Sequence, residues 1–194
     1  LQAKGNSVES VMSLPVSEGS SVTFEAARKE LVSKTGENVQ LRRIACIDSE
    51  GGFVAGYQHG DKIGVLVELD KELIDLGKDV AMHVAATNPM AIDESALDAS
   101  LLEKEREIFV AQAKESGKPD AIIEKMVDGR VAKYIKEVCL LSQPFVKNPD
   151  QTVGSLLESQ GAKIKKIVRF ELGEGIEKEE VDFAEEVRAQ VEGS

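Results

Sequence analysis

Across the middle of the chain the period of the hydrophobic residues changes from two to about 3.6. Residues 39–47, 53–58 and 63–69 are β-branched or aromatic runs separated by glycine-containing turn signals. Tight turns join neighbouring antiparallel strands, so these runs predict a three-stranded meander. The apolar residues of 71–88 then recur every three or four positions, and Pro89 marks the end of that pattern. The sequence therefore predicts a helix packed on a small antiparallel sheet, an arrangement of the α+β class.

Two further stretches, 101–116 and 119–138, are rich in charge and carry narrow apolar stripes. Stripes with spacings of three and four residues are typical of a coiled-coil seam. Between them, Ser-Gly-Lys-Pro at 116–119 supplies a glycine stop and a proline for the first position of the next helix. We expect an antiparallel helical hairpin, a coiled coil, that protrudes from the body of the protein. Two ordinary helices of a bundle are the alternative.

Charge and composition narrow the classes of function. The chain has 24 Lys and Arg against 35 Asp and Glu, a formal charge of -11. Such an acidic surface disfavours direct binding to nucleic acid or to an anionic membrane. No apolar run approaches the ~18 residues of a membrane span, and the start lacks the pattern of a signal peptide. We expect a cytoplasmic protein.

The sequence offers no convergent reactive groups. Its two histidines are His59 in a predicted turn and His83 on a predicted helix, and neither has the companion four residues away that a metal-binding helix uses. Pairs of neighbouring acidic residues are interpreted as solvent-exposed surface and not as a catalytic acid and base. Cys46 and Cys139 lie in apolar stretches and are expected to be buried thiols. We predict no catalytic residue, no metal site and no cofactor, so the chain is not expected to be an enzyme.

The helix at 71–88 is predicted to have two apolar faces. The face expected to pack on the sheet carries five residues at helical spacing: Leu73, Leu76, Gly77, Val80 and Val84. Met82 lies opposite, and His83 and Ala86 lie toward it, where a helix on a sheet is normally polar. An exposed apolar patch of this kind suggests a protein partner. For His83 the alternative is a hydrogen bond to Asp79, one turn earlier.

The same helix carries a resemblance to a known family. Residues 79–86, Asp-Val-Ala-Met-His-Val-Ala-Ala, followed by Asn88-Pro89, resemble the most characteristic core helix of the elongation factor Ts family. Further segments resemble that family in the same order: GENVQLRR at 36–43, YQHGDKIGVLV at 57–67, EKMVDGRVAK at 124–133, QPFV at 143–146, TVGSLL at 152–157 and RFELGEGIEKEEVDF at 169–183. The resemblance covers about residues 24–191.

The resemblance implies an α+β fold in which small antiparallel sheets are packed with helices in two subdomains. It divides the chain into four parts: 1–70, a partial first core subdomain with a loop, a helix and the meander; 71–95 with 139–178, the second core subdomain; 96–138, the helical hairpin insertion; and 179–194, a C-terminal helix. The family also has an N-terminal helical module and a Thr-Asp-Phe-Val motif, and this sequence contains neither. Asp182-Phe183 belongs to the family's C-terminal helix and is no substitute. We therefore expect a fragment.

The resemblance also implies a function, that of a guanine-nucleotide exchange factor. Such a protein promotes GDP release from the GTPase elongation factor Tu by binding and stabilising its nucleotide-free form. The partner contacts carried over from the family are Met82, His83, Val84 and Ala86. The implied location is the bacterial cytoplasm, with an organellar origin also open. The alternative is a structural module that dimerises through the helical hairpin and has no exchange activity on its own.

Overall fold

A computed structural model describes residues 7–49 and 51–176 of the chain. Its helices are α1 (Val8–Met12), α2 (Phe24–Thr35), α3 (Ile74–Thr87), α4 (Ala99–Lys114), α5 (Asp120–Val138) and α6 (Val153–Ser159), with short 3-10 turns at Glu94–Ala96 and Leu140–Ser142. Its strands are β1 (Phe53–His59), β2 (Ile63–Leu69), β3 (Pro144–Phe145), β4 (Asn148–Thr152) and β5 (Ile164–Glu171). Helices and small antiparallel sheets together confirm the α+β class.

The main sheet has three antiparallel strands in the order β1-β2-β5, so β2 is central. The β1–β2 hairpin is confirmed. The predicted strand at 39–47 is wrong, because these residues lie in neither helix nor strand. Within this segment Arg43 forms an ion pair with Glu174, just beyond β5, at 2.6 Å between Nη2 and Oε2. The third strand therefore comes from far along the chain, and the segment at 39–47 is tied to the end of that strand instead of pairing with β1.

Helix α3 covers one face of this sheet and forms the main core with it. Val80 and Val84 are fully buried, as predicted, and pack in one cluster with Val65 and Val67 of β2. Leu73, predicted to be largely buried, is only half-buried. The sheet fixes the position of α3, and α3 in turn places the residues proposed from sequence as partner contacts.

The ends of α3 differ slightly from the prediction of 71–88. The helix begins at Ile74 without a side-chain cap and ends at Thr87. Asn88 then adopts the left-handed conformation with φ of 46°, directly before Pro89. The C-terminal end thus falls where the proline predicts it, because the residue before a proline avoids helical geometry.

Helices α4 and α5 pack on each other around a small separate cluster of buried side chains, Ala113, Ile123 and Val127. Polar contacts also join them, including an ion pair of 2.8 Å between Arg106 Nη2 and Asp128 Oδ1. The two helices are confirmed within two residues of the predicted bounds, while their coiled-coil packing stays a prediction. At the base, the Met90 amide donates to the Val138 carbonyl oxygen at 2.9 Å, so the entry and exit of this unit run side by side.

After α5 the chain forms a second small sheet and a short helix. Strands β3 and β4 form a two-stranded antiparallel sheet, and α6 follows with Thr152 as its N-cap. Cys139 is buried, as predicted, whereas Cys46 is only partly buried. The division into two subdomains stays a prediction, and the predicted helix at 179–194 lies outside the described residues.

Candidate functional site

The outward face of α3 agrees with the predicted contact surface at two positions. Ala86 is exposed and Met82 is partly exposed. A helix turns by about 100° per residue, so a position two residues after a buried one lies on nearly the opposite side. Met82 follows the buried Val80 by two residues and Ala86 follows the buried Val84 by two, so both face away from the sheet. Met82 and Ala86 are therefore available to a partner.

The predicted placement of His83 on the exposed patch is wrong, whereas partner contact by His83 and Val84 stays a prediction. His83 and Val84 are both 0% exposed, so neither can touch a partner unless the chain rearranges. Val84 belongs to the core face of α3, where helical spacing alone places it. The alternative interpretation of His83 is also wrong, since Asp79 pairs with Lys147, at 2.5 Å between Oδ1 and Nζ.

His83 is instead the centre of a buried hydrogen-bond network. Its Nε2 lies 2.8 Å from Gln143 Oε1, which also accepts a hydrogen bond from the Thr87 hydroxyl at 2.9 Å. The Gln143 amide nitrogen donates to the Glu137 carbonyl oxygen at 2.6 Å. On the other side of the imidazole, the backbone N–H of Val146 donates to Nδ1 at 3.2 Å. One buried ring thus joins α3 to the end of α5 and to the turn after β3.

Burial also sets the protonation state of this histidine. Removal from solvent lowers the pKa of His83 below its ordinary value, and the hydrogen bond to Gln143 opposes that change only in part. The neutral imidazole is the form that suits its partners. The site therefore holds a histidine that stays uncharged near neutral pH.

The turn between β3 and β4 extends the outward face of α3. Val146 is 40% exposed although it is apolar, and Lys147 beside it is exposed. Their bonds to His83 and Asp79 hold this turn along the edge of α3. We call Met82, Ala86, Val146 and Lys147 together the α3–turn surface.

Sequence reasoning did not identify Val146 or Lys147 as contact residues. The only signal was the resemblance of the segment at 143–146 to the family motif, which gave no reason to place it beside α3. About sixty residues separate the two parts of the surface, as the His83–Gln143 bond shows. Local periodicity cannot reveal a neighbour at that distance along the chain.

A wide groove lies on the opposite face of the sheet. It is open, has a volume of about 1000 Å³ and runs between the segment at 37–45 and the strands β1, β2 and β5. Arg43 lies over the Phe170 ring in this groove, with 4.7 Å from Cζ to the ring centroid. The floor is largely apolar and includes Leu66 and Val168. It presents no arrangement of acid, base and nucleophile.

The described part of the chain offers neither a metal-binding cluster nor a membrane-spanning helix. No group of three or more His, Cys, Asp or Glu residues there is placed to hold a metal ion. None of the helices described is both long and apolar enough to cross a membrane. His59, the second histidine, lies at the end of β1 with Nδ1 3.1 Å from the Tyr57 hydroxyl.

Comparison with known proteins gives a consistent result. The sequence profile of the family described as Elongation factor TS matches residues 1–174. Elongation factor Ts of Methylococcus capsulatus (strain Bath) is 55% identical over 172 residues, which are 89% of this chain and 59% of that protein. Elongation factor Ts of Alkalilimnicola ehrlichii is 56% identical over 168 residues, 87% of this chain and 58% of the relative. Elongation factor Ts of Coxiella burnetii (strain RSA 493) is 50% identical over 187 residues, which are 96% of this chain and 63% of that protein.

The fold and the site define an α+β protein whose candidate site is an apolar helix face joined to a turn, supported by a buried polar network. The chain belongs to the elongation factor Ts family. It spans about three fifths of the length of these relatives.

Proposed function

We propose that the chain binds the GTPase elongation factor Tu and promotes release of its GDP by stabilising the nucleotide-free form. A protein that binds the empty GTPase more tightly than the GDP-bound form weakens GDP binding by the same factor, because the two binding events are linked thermodynamically. GTP then refills the vacated site by mass action. The chain itself performs no covalent chemistry, so it acts as an exchange factor in the cytoplasm of a bacterium and not as an enzyme.

The observation that carries this proposal is the α3–turn surface on the helix with the family's characteristic sequence. Met82 and Val146 give it apolar area, and Lys147, which pairs with the neighbouring Asp79, gives it a polar border. Interfaces commonly combine an apolar centre with a polar rim. The groove on the far face of the sheet contains no residue of α3, and its lining residues are not proposed as partner contacts.

Ala86→Arg tests the surface directly. Ala86 is exposed, so arginine at this helical position leaves the fold intact, but it places a charge and a long side chain in the proposed interface. We expect affinity for nucleotide-free elongation factor Tu to fall at least tenfold, or more than about 1.4 kcal/mol. Ala111→Arg, at an exposed position of α4, is the matched control and should leave affinity unchanged. Equal affinities of the two variants would contradict the assignment of the surface.

Exchange is measured separately from binding in the same experiment. Elongation factor Tu loaded with fluorescent GDP is titrated with the chain, and both complex formation and GDP release are followed. The sequence contains no Thr-Asp-Phe-Val motif, so we expect binding but a low maximal rate of release that more protein does not restore. Release at the full rate at saturation would show that the α3–turn surface suffices.

A structural module that dimerises through α4 and α5 is the second candidate. The observation in its favour is that Ile108 of α4 and Ile122 of α5 are about half exposed. If this is the function, the chain is a dimer at micromolar concentration and Ile108→Asp makes it a monomer. Sedimentation equilibrium of the two proteins distinguishes this candidate from the exchange factor.

A further inference from the structure

We propose that His83 is a positioning residue for partner binding: its neutral imidazole, with the proton on Nε2, holds Val146 and Lys147 against α3. This inference rests on the proposed function, because it concerns how the two halves of the α3–turn surface keep their relative position. His83 itself touches no partner. It acts through the backbone of the turn.

The hydrogen bonds determine which ring nitrogen carries the proton. The Gln143 amide nitrogen is used by the Glu137 carbonyl oxygen, so Gln143 Oε1 faces the ring as an acceptor. An acceptor there requires a donor on the ring, which places the proton on Nε2. The Val146 N–H points at Nδ1, so this nitrogen has to present its lone pair. Both partners of the imidazole thus select the same neutral tautomer.

The bond from Val146 to His83 is well placed to fix the turn. Before the turn, Phe145 is buried and its ring lies 5.9 Å from the His83 ring, centroid to centroid. The β3–β4 pairing is short, with a register shift between Pro144 and Phe145, so it constrains the turn weakly. Beyond Val146, the other described tie to α3 is the Lys147–Asp79 ion pair, which is partly exposed. Such exposed pairs stabilise a structure little, so the bond at Nδ1, which is better shielded from solvent, sets the position of Val146.

Protonation of His83 would remove this bond, because a hydrogen on Nδ1 would face the Val146 N–H. The charged groups nearby do not stabilise the protonated imidazole, because they are paired with other residues. Asp79 is paired with Lys147, and the Glu137 side chain is paired with Lys133 at 3.6 Å.

From the sheet side, Arg169 donates to the Ala85 carbonyl oxygen and pairs with Glu171. Among the described residues, no carboxylate bonds to the imidazole. The turn is therefore expected to lose its position on α3 when the ring becomes charged.

Two substitutions separate the two sides of the ring. His83→Asn places a carbonyl oxygen near the position of Nδ1 and can accept from Val146, but it does not reach Gln143. His83→Gln places an amide nitrogen near the position of Nε2 and can donate to Gln143 Oε1, but it offers no acceptor to Val146. Each variant removes the ring and one of its two hydrogen bonds, so both should lower stability. The bond to Gln143 is the more buried of the two, so the loss of stability should be at least as large in His83→Asn.

The expected result is a difference in affinity without a matching difference in stability. At pH 7.5, His83→Gln should bind nucleotide-free elongation factor Tu about tenfold more weakly than the original chain, and His83→Asn should lose clearly less. His59→Gln, the same substitution at the other histidine, is the control. For the original chain, affinity should also fall as the pH is lowered toward 5.5. Equal affinities of the two His83 variants, or losses that follow their stabilities, would overturn the inference.

A readout without the partner distinguishes failure of this inference from failure of the proposed function. Hydrogen exchange of the Val146 amide in the chain alone should be faster in His83→Gln than in His83→Asn. In the original chain, the nitrogen-15 spectrum of His83 at neutral pH should show a protonated Nε2 and an unprotonated Nδ1. The opposite tautomer, or equal Val146 exchange in the two variants, refutes the positioning role even if no variant binds. The predicted pattern without binding refutes the proposed partner instead.

Discussion

Replacing Gly77 by alanine tests how closely α3 lies on the sheet. A Cβ built at Gly77 would be 2.7 Å from the Cβ of Ala55 in β1, and 3.4 Å from Cε1 of Phe53. Ala55 Cβ is fixed to the strand backbone and cannot rotate away. Either α3 moves off β1, or the two carbons remain closer than van der Waals contact permits.

The magnitude follows from two opposing effects. Alanine in a helix interior is favoured over glycine by about 0.5–1 kcal/mol. Forcing an extra methyl group into a packed core destabilises by about 1–3 kcal/mol, and rigid neighbours give the upper part of that range. We therefore expect Gly77→Ala to lower the free energy of unfolding by about 1–2 kcal/mol.

Gly129→Ala is the matched control. Gly129 lies within α5, and a Cβ there meets nothing within 4 Å. Only the helix-propensity effect remains, so this variant should gain about 0.5–1 kcal/mol. Urea unfolding followed by circular dichroism, with amide exchange of α3 and α5 measured separately, gives both values. If Gly77→Ala also stabilises the protein, the close contact between α3 and β1 does not limit this interface and the reasoning fails.

Two other predictions concern the hairpin and His83. Replacing residues 99–136 by a short Gly/Ser link should leave the sheet core cooperative, since the Met90–Val138 bond keeps the ends together; loss of a sharp urea transition in this deletion would show that α4 and α5 are part of the core. Folding lowers the pKa of His83, so as the pH falls the unfolded chain takes up this proton before the folded chain does. The free energy of unfolding should therefore be highest above about pH 6.5 and should decline as the pH falls below that value. The urea midpoint should drop between pH 7.5 and 5, and His83→Asn should have a flatter profile. Identical pH profiles would exclude His83 as the cause.

Elements whose signals are local were predicted well. Apolar residues at helical spacing over 24–35, followed by Gly36, predict a helix with these bounds, and α2 has them. Gly36 in the left-handed conformation ends it and Thr23 caps its start. The β1–β2 hairpin likewise depends on one tight turn. The pairing of β2 with β5 was not predicted, because these strands lie far apart in sequence and local patterns do not indicate which distant strands pair. The segment at 39–47 has strand-like composition but is held by contacts that involve Glu174.

The same distinction applies to the candidate site. Helical spacing placed Val84 in the core, and the structure confirms this, whereas the family resemblance alone had suggested a contact there. Ala86 was placed outside by the same spacing and is exposed. His83 lies at the border of the buried arc, so its environment depends on what covers that edge. Gln143 and Val146 cover it, and their arrival could not be derived from the helix sequence.

The position of β5 in the main sheet has a consequence for the order in which the chain folds. Pairing Leu69 with Ile164 closes a loop of roughly 95 residues. If α4 and α5 pack first, which local helical contacts favour, the effective loop shrinks to roughly 55 residues and closure becomes easier by about 0.5 kcal/mol.

That difference changes the rate of sheet closure only about twofold. Early packing of α4 and α5 therefore changes the timing little, and the main sheet cannot be completed before β5 has been synthesised. During synthesis the apolar β2 strand has one edge without its partner until nearly all of the described chain has been made. Chaperone dependence during translation should therefore centre on residues 63–69.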